Sequence, residues 1–132
     1  MTTITSSSAP TPTNETAHLF ARLGGDPAVK AAMAGLFDRI LADPTLAPVF
    51  ERVNVRRHVA STSRFVAAAT GGPKPWTGRS MEEAHRHLNI TDEQFDRVAG
   101  HLAVALHELS VPADTASEVL TLVSSLRSQI VA

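Results

Sequence analysis

The chain contains no cysteine, and this absence removes several kinds of chemistry at once. Disulfide frameworks, thiolate zinc sites, iron–sulfur clusters and thiol catalysis all need a cysteine sulfur. Histidine nitrogens and carboxylate oxygens are the ligands that remain for a metal ion. Tyrosine is also absent and tryptophan occurs once, so polar aromatic side chains are scarce. Six histidines are therefore the residues most worth placing.

The chain also lacks an excess of either charge and lacks long hydrophobic runs. Twelve Lys and Arg residues stand against thirteen Asp and Glu residues, which gives a formal net charge of −1 at pH 7. This balance leaves no electrostatic footprint for a nucleic acid or an anionic membrane. No segment approaches the roughly 18 unbroken apolar residues of a membrane span. We expect no nucleic-acid or membrane partner, and a cytoplasmic location.

A length of 132 residues predicts one domain, large enough to bury about two-thirds of the surface of its unfolded chain. Residues 1–16 are rich in Ser, Thr and Pro and contain no basic residue. A signal peptide needs a basic start and an apolar core, so this segment does not resemble one. We predict a disordered tail over residues 1–16 and a folded domain over residues 17–132.

Helical periodicity runs through that domain, and no segment shows a convincing strand pattern. Asp26 followed by Pro27 predicts a helix start, and Asp43 followed by Pro44 predicts its end. Between them lies the clearest apolar stripe in the chain: Val29, Ala32, Met33, Leu36, Phe37 and Ile40. A capping box at Thr91 predicts another helix, and a last amphipathic helix is predicted from Pro112 to Ile130. The fold class is all-α.

His85 lies on the apolar face of a short predicted helix. Ser80 and Glu83 have the spacing of a capping box, so a helix should begin there and place Met81 and His85 on one face. A buried imidazole without a partner costs roughly 1–3 kcal/mol. His85 must therefore be either a hydrogen-bonded core histidine or a metal ligand.

A second histidine, His58, shares this property. Asn54 is a suitable cap for a helix whose inward positions follow a three- and four-residue spacing: Val55, His58, Val59, Thr62, Phe65, Val66 and Ala69. Two separate helices that each direct one histidine inward favour a cofactor between them. The other four histidines fall outside the apolar phase and are predicted to be solvated: His18, His87, His101 and His107.

From Leu19 to Val131 the sequence resembles a truncated haemoglobin, most closely group I of that family. The resemblance rests on features that occur in order along the chain: Leu23-Gly24-Gly25, Arg39-Ile40-Leu41-Ala42-Asp43, Val49-Phe50, Phe65, Gly71-Gly72-Pro73, Trp76-Thr77-Gly78, Met81 four residues before His85, Ile90 and Phe95. It implies a truncated globin fold over residues 17–132, with short helices packed two-over-two around haem b. No single motif carries it, but their order is specific.

The resemblance also implies roles for individual residues. His85 corresponds to the proximal ligand of the haem iron, Phe50 to the aromatic residue that packs on the porphyrin, and His58 to a distal residue able to approach the iron. The remaining expected haem contacts are Phe37, Thr62, Phe65, Val66, Trp76, Met81, Ile90, Phe95 and Val98. No catalytic residue is assigned.

The sequence departs from the family on the distal side of the haem. Phe37 occupies the position of a tyrosine that hydrogen-bonds oxygen in typical group I relatives, and Thr62 occupies the position of a frequent glutamine. His58 is the strong donor that remains in the right helical phase, with Thr62 as a weaker one.

Three classes of function remain open at this stage. The first is a haem protein that reversibly binds or transports oxygen, or binds carbon monoxide or nitric oxide. Nitric oxide dioxygenation with the help of a reductase would make such a protein an enzyme. The second is a haem protein for electron transfer or for redox or gas sensing, in which His58 and His85 both ligate the iron. The third is a cofactor-free helical interaction module.

Overall fold

The computed structural model describes residues 14–132, and the regular secondary structure of this part of the chain is helical. Its helices are α1 (Asn14–Leu23), α2 (Gly25–Ala42), α3 (Val55–Ala69), α4 (Met81–His85), α5 (Asp92–Glu108), α6 (Ala113–Ser124) and α7 (Arg127–Ile130). A short 3-10 helix, Ala47–Phe50, joins α2 to α3. The described residues form no strand, although an isolated parallel bridge pairs Ile90 with Val131. None of these helices is long and apolar enough to cross a membrane.

Helix α2 is the centre of the core, because it packs against α1, α3 and α5. Helix α6 completes this core by packing on α1 and α5. All six residues of the stripe predicted on α2 are buried, and each large one contributes about 1.5–3 kcal/mol by leaving water. Buried residues from the other elements join them: Leu19, Leu46, Leu102, Leu106 and Val119.

Three predicted helix starts are confirmed by their hydrogen bonds. The Asn54 side chain accepts from the backbone N–H of Arg57 at 3.0 Å. Both capping boxes are complete, at Ser80 with Glu83 and at Thr91 with Gln94. These motifs are satisfied within four residues, so local sequence is enough to specify them.

The predicted start of α2 is wrong by a few residues. The helix begins at Gly25, so Asp26 lies inside its first turn and is not the cap. Gly24 precedes the helix with φ of +114° and Gly25 has φ of +75°. Only glycine adopts such angles readily, and the glycine pair therefore lets α2 start immediately after α1 ends.

The long last helix predicted from Pro112 to Ile130 is divided in two. Helix α6 ends at Ser124 and α7 begins at Arg127. At the break the backbone N–H of Leu126 donates to the carbonyl of Val123 at 2.9 Å, which is the tighter spacing of a 3-10 turn. The Ser125 hydroxyl also donates to the carbonyl of Leu122 and so competes with the helical hydrogen bonds.

The predicted tail falls almost entirely outside the described residues. Residues 1–13 are not described by the structure, and α1 begins at Asn14, within the predicted tail. The structure therefore begins the helical part of the chain three residues before the domain boundary that the sequence suggested.

Asp43 is a buried carboxylate at the end of α2 that ties this helix to α5. Its side chain is 5% exposed and accepts from Nε2 of His101 at 2.8 Å and from Nε of Arg97 at 3.1 Å. The backbone N–H of Thr45 adds a third bond at 2.8 Å. The prediction that His101 is merely solvated is thus wrong, because His101 satisfies a buried charge.

Asp43 also stabilises the turn between α2 and the 3-10 helix. The Asp43 carbonyl accepts from the backbone N–H groups of Leu46 and Ala47 at 3.0 and 2.8 Å. The 3-10 helix that carries Phe50 starts at this point. The hydrogen bond with His101 holds the pKa of Asp43 far below its usual value, and the bonds from Thr45 and Arg97 act in the same direction, against the effect of burial.

We predict that Asp43→Asn lowers the free energy of unfolding at neutral pH, because it removes the charge that these donors surround. A carboxylate whose pKa is lowered by folding stabilises the protein above its unfolded pKa of about 4, and this stabilisation is lost as the pH falls further. The difference between wild type and Asp43→Asn should therefore shrink below about pH 4. Urea unfolding at several pH values measures it. Asp38→Asn, at an exposed position of α2, is the control and should change little. Equal stability of all three proteins at pH 7 would contradict the prediction.

Candidate functional site

His58 lies on the inner face of α3, where two aromatic rings hold its imidazole. The Phe37 ring is 5.1 Å from the His58 ring, centroid to centroid, in an edge-on arrangement. The Phe50 ring is 5.6 Å away and tilted. Phe37 and Phe50 also contact each other edge-on at 5.5 Å. Three elements, α2, the 3-10 helix and α3, thus fix the position of one half-buried histidine.

Burial lowers the pKa of His58, and the nearby charge of His85 lowers it further. The two side chains are thus close enough for the charge of His85 to act on His58. A lowered pKa keeps His58 neutral at physiological pH. A neutral imidazole offers one N–H donor and one nitrogen lone pair, so His58 can donate to a ligand or bind a metal.

The imidazole of His85 is oriented by a hydrogen bond within α4. Its Nδ1 atom lies 2.8 Å from the carbonyl oxygen of Met81. Since a carbonyl oxygen can only accept, Nδ1 carries the proton and Nε2 carries the lone pair. A metal-ligating histidine has this arrangement, in which one ring nitrogen donates to a backbone carbonyl and the other faces the metal. The hydrogen bond expected for a core histidine is also present, so this bond alone does not separate the two interpretations.

Helices α3 and α4 carry six of the twelve predicted haem contacts. Helix α3 packs mainly on α2, and α4 packs mainly on α7, so the two helices that carry His58 and His85 do not pack extensively on each other. Ten of the twelve predicted residues are half-buried: Phe50, His58, Thr62, Phe65, Val66, Trp76, Met81, His85, Ile90 and Val98. Phe37 and Phe95 are buried, 5% and 4% exposed.

The loop between α3 and α4 folds back onto α3 through the tryptophan of the chain. The Trp76 ring contacts Phe65 edge-on at a centroid distance of 5.4 Å. Its Nε1 donates to the carbonyl of Arg79 at 2.9 Å. A Cβ atom at Gly78 would lie 2.3 Å from the Trp76 ring. Glycine at position 78 is therefore required for the ring to cover the loop just before α4 begins.

The helix that carries His85 is supported by the end of the chain, a contact that sequence reasoning did not anticipate. Arg127 of α7 donates to Asp92 at 2.8 Å and also to Asp96, both on α5. Its guanidinium lies 4.5 Å from the centre of the Phe95 ring. The backbone N–H of Ala132 donates to the carbonyl of Ile90 at 2.9 Å. Helix α7 is thereby held against α4, the helix that carries His85.

The donor set fits a haem better than a bare metal ion. The described residues contain no group of three or more His, Asp or Glu side chains that could hold a metal ion. A porphyrin supplies four nitrogens of its own, so haem iron needs only one or two protein ligands on its axis. The imidazoles of His85 and His58 would supply that number. The residues present therefore fit a haem group.

The likeness to known proteins agrees with this geometry. Residues 18–132 match the model of the family described as bacterial-like globin. The chain is 39% identical to the group 1 truncated hemoglobin GlbN of Mycolicibacterium paratuberculosis. The 116 aligned residues are 88% of this chain and 85% of that relative. It is 35% identical to GlbN of Synechocystis, over 76% of this chain and 85% of that protein.

Solved structures show the same fold. The ferric truncated hemoglobin of Tetrahymena pyriformis superposes with a TM-score of 0.82 at 27% identity, over 86% of this chain and 97% of that one. The 2/2 hemoglobin of Synechococcus, solved in the cyanomet state with covalently attached heme, gives 0.78 at 32% identity, over 84% and 94%. This chain belongs to the bacterial-like globin family. Within it, the chain is a group 1 truncated haemoglobin with the two-over-two globin fold.

We predict that Arg127→Met loosens α4, because it removes both ion pairs and the contact with Phe95 that hold α7 in place. Exposed ion pairs add little to global stability, so the effect should be local. Amide hydrogen exchange at Ala84 and Arg86 should accelerate on the order of fivefold, while amides of α2 keep their protection. Arg22→Met, which breaks the pair with Glu118 between α1 and α6, is the matched control. Equal exchange at α4 in both variants would show that α7 does not depend on Arg127.

Proposed function

We propose that this truncated haemoglobin holds haem b through His85 and reversibly binds oxygen or another diatomic gas on the side of His58. Membership of the globin family supports this most strongly, and the bond from Nδ1 of His85 to Met81 leaves Nε2 free to bind iron. When bound, the haem supplies an iron with an open axial position for oxygen, carbon monoxide or nitric oxide. Membership of the globin family makes haem the expected cofactor.

The chain contributes walls, orientation and one polar group. Phe50 provides an aromatic face for packing on the porphyrin, in line with its place in the family. The other proposed wall residues would line the same haem site: Phe37, Thr62, Phe65, Val66, Trp76, Met81, Ile90, Phe95 and Val98. A mostly apolar wall excludes water and so protects a bound gas from competing reactions.

His58 determines the polarity of the distal side. Phe37 has no polar atom to offer a gas ligand, although relatives commonly carry a tyrosine at this position. Neutral His58 can donate a hydrogen bond from its N–H, and the Thr62 hydroxyl one turn later is a weaker donor. We therefore assign His58 as the main distal donor. Oxidation of nitric oxide to nitrate by oxygen would need an electron from a reductase and remains a secondary part of the proposal.

A second proposed function uses both histidines. The charge of His85 lowers the pKa of His58, and this supports the proposal that both side chains reach one haem. If His58 ligates the iron from the opposite side, the protein is a bis-histidyl haem protein suited to electron transfer or to sensing. Ferric, ferrous and carbon-monoxide absorption spectra of the haem-loaded protein distinguish an open axial position from a position filled by His58.

We predict that His85→Ala loses haem, because no other described side chain on the proximal side has an imidazole in the same place. Replacing even a supporting residue around a metal typically costs 10–100-fold in affinity, so the loss should be at least about tenfold. Transfer of haem to apomyoglobin measures it. His87→Ala, at an exposed position two residues later, should retain haem as the wild type does. An unchanged spectrum and haem affinity in His85→Ala would disprove the assignment.

We predict that His58→Leu changes the distal chemistry in one of two recognisable ways. Loss of a donor worth about 1.4 kcal/mol should speed oxygen release roughly tenfold. Loss of a sixth ligand should instead convert a low-spin ferric spectrum to a five-coordinate one and accelerate carbon-monoxide binding. Stopped-flow kinetics and absorption spectra separate these results. Thr62→Val is the control and should have a smaller effect. Unaltered kinetics and spectra in His58→Leu would rule out both roles.

A further inference from the structure

The near-neutral net charge conceals a strong separation of charges along the chain. Residues 52–81 contain six basic residues and no acidic residue: Arg52, Arg56, Arg57, Arg64, Lys74 and Arg79. The chain has 12 basic and 13 acidic residues, so the remainder carries 6 and 13. The formal charges are therefore +6 for this basic segment and −7 for the rest, which sum to −1.

The basic segment also differs from the rest of the chain in the ion pairing of its cationic side chains. All six of its cationic residues are exposed, and none of them forms an ion pair with a carboxylate of the described residues. Outside the segment, four arginines are paired with carboxylates: Arg22, Arg39, Arg97 and Arg127. The positive charges of the basic segment therefore remain available to an anionic partner.

These charges lie beside the proposed haem cleft. Arg57 and Arg64 are seven residues apart on α3 and form one exposed stripe, while His58, next to Arg57, points inward. Lys74 and Arg79 belong to the loop that folds back on α3 through the contact between Trp76 and Phe65. Arg79 is held there by the bond from the Trp76 indole to its carbonyl.

Gas binding does not account for this surface, because diatomic gases are uncharged. The two propionates of a haem would neutralise at most two of the six cations, which leaves four. We propose that the basic segment docks a small acidic one-electron redox protein beside the haem. This inference rests on the proposed haem function. One electron passes from the reduced donor to ferric iron, giving ferrous iron and the oxidised donor, without transfer of atoms.

A compact protein fits this surface better than an extended polyanion does. A membrane or a nucleic acid would bring negative charge against the rest of the molecule, which carries −7. A small partner confined to the basic segment would feel mainly the attraction, since charges farther than the Debye length of about 8–10 Å are screened. Such complementarity acts mostly on the association rate and makes it dependent on salt.

The test is the reduction of the ferric haem-loaded protein by a reduced, acidic plant-type [2Fe–2S] ferredoxin in a stopped-flow instrument. The second-order rate constant for wild type should fall at least about fivefold as the ionic strength rises from roughly 0.01 to 0.2 M. At the lower ionic strength, Arg57→Glu should be about fivefold slower than wild type, and Arg57→Gln should fall between them. Calorimetric titration of the ferric protein with oxidised ferredoxin should show the same order of affinity.

Lys30→Glu is the matched control, because it makes the same change of charge at an exposed position of α2. It should leave the rate with ferredoxin within about twofold of wild type, since it lies outside the basic segment. The cationic donor reduced methyl viologen should show no slowing in Arg57→Glu. Redox titration checks that the midpoint potentials of the variants agree.

Each remaining result has a definite meaning. Failure of the wild type to take up haem would overturn the proposed function itself. Haem uptake with equal ferredoxin rates in Arg57→Glu and Lys30→Glu would overturn only the docking proposal. Binding to phosphatidylserine vesicles that is lost in Arg57→Glu, combined with a salt-independent ferredoxin rate, would assign the basic segment to a lipid surface and also overturn it.

Discussion

A helix of five residues cannot hold a catalytic or binding side chain in place by itself, and the site depends on how α4 overcomes this limit. Isolated helices shorter than about 12 residues are marginal in water. Helix α4, Met81–His85, is closed at its start by the capping box of Ser80 and Glu83. The bond between His85 and the Met81 carbonyl spans its whole length. Helix α7 packs against α4. His85 is therefore oriented by a hydrogen bond within its own helix and supported by a distant part of the chain.

The surroundings of His58 are organised from the end of α2 by Asp43. This carboxylate draws together His101 and Arg97 of α5, while its own carbonyl begins the turn that leads to Phe50. Phe50 in turn contacts His58. A buried charge at the end of α2 thus contributes to the position of the His58 imidazole. Breaking such a charge away from its partners is costly, so the corner has little freedom to move.

The sequence predicted those structural features that depend on residues close together in the chain. The apolar stripe of α2, the caps at Asn54, Ser80 and Thr91, and the inward phase of His58 and His85 all follow from local spacing. The pairing of Asp43 with His101 does not, because 58 residues separate them and no periodicity marks it. Ser63 has a different cause: it is buried on α3, and its hydroxyl donates to the Val59 carbonyl, which satisfies a polar side chain at that buried position. The start of α2 was missed because two left-handed glycines, not a polar cap, determine it.

The lack of a hydrogen-bond donor on the Phe37 side chain affects more than the number of donors in the site. Phe37 contacts His58 and Phe50 edge-on, so the residue that lacks a donor also packs against the residue that can replace it. The same packing removes water from His58 and lowers its pKa, which keeps the ring neutral. A neutral ring held at a fixed place can donate a hydrogen bond or coordinate a metal, and its position decides which. Because Phe37 and Phe50 hold His58 in position, the chemistry open to its imidazole depends on these apolar contacts as well as on the ring itself.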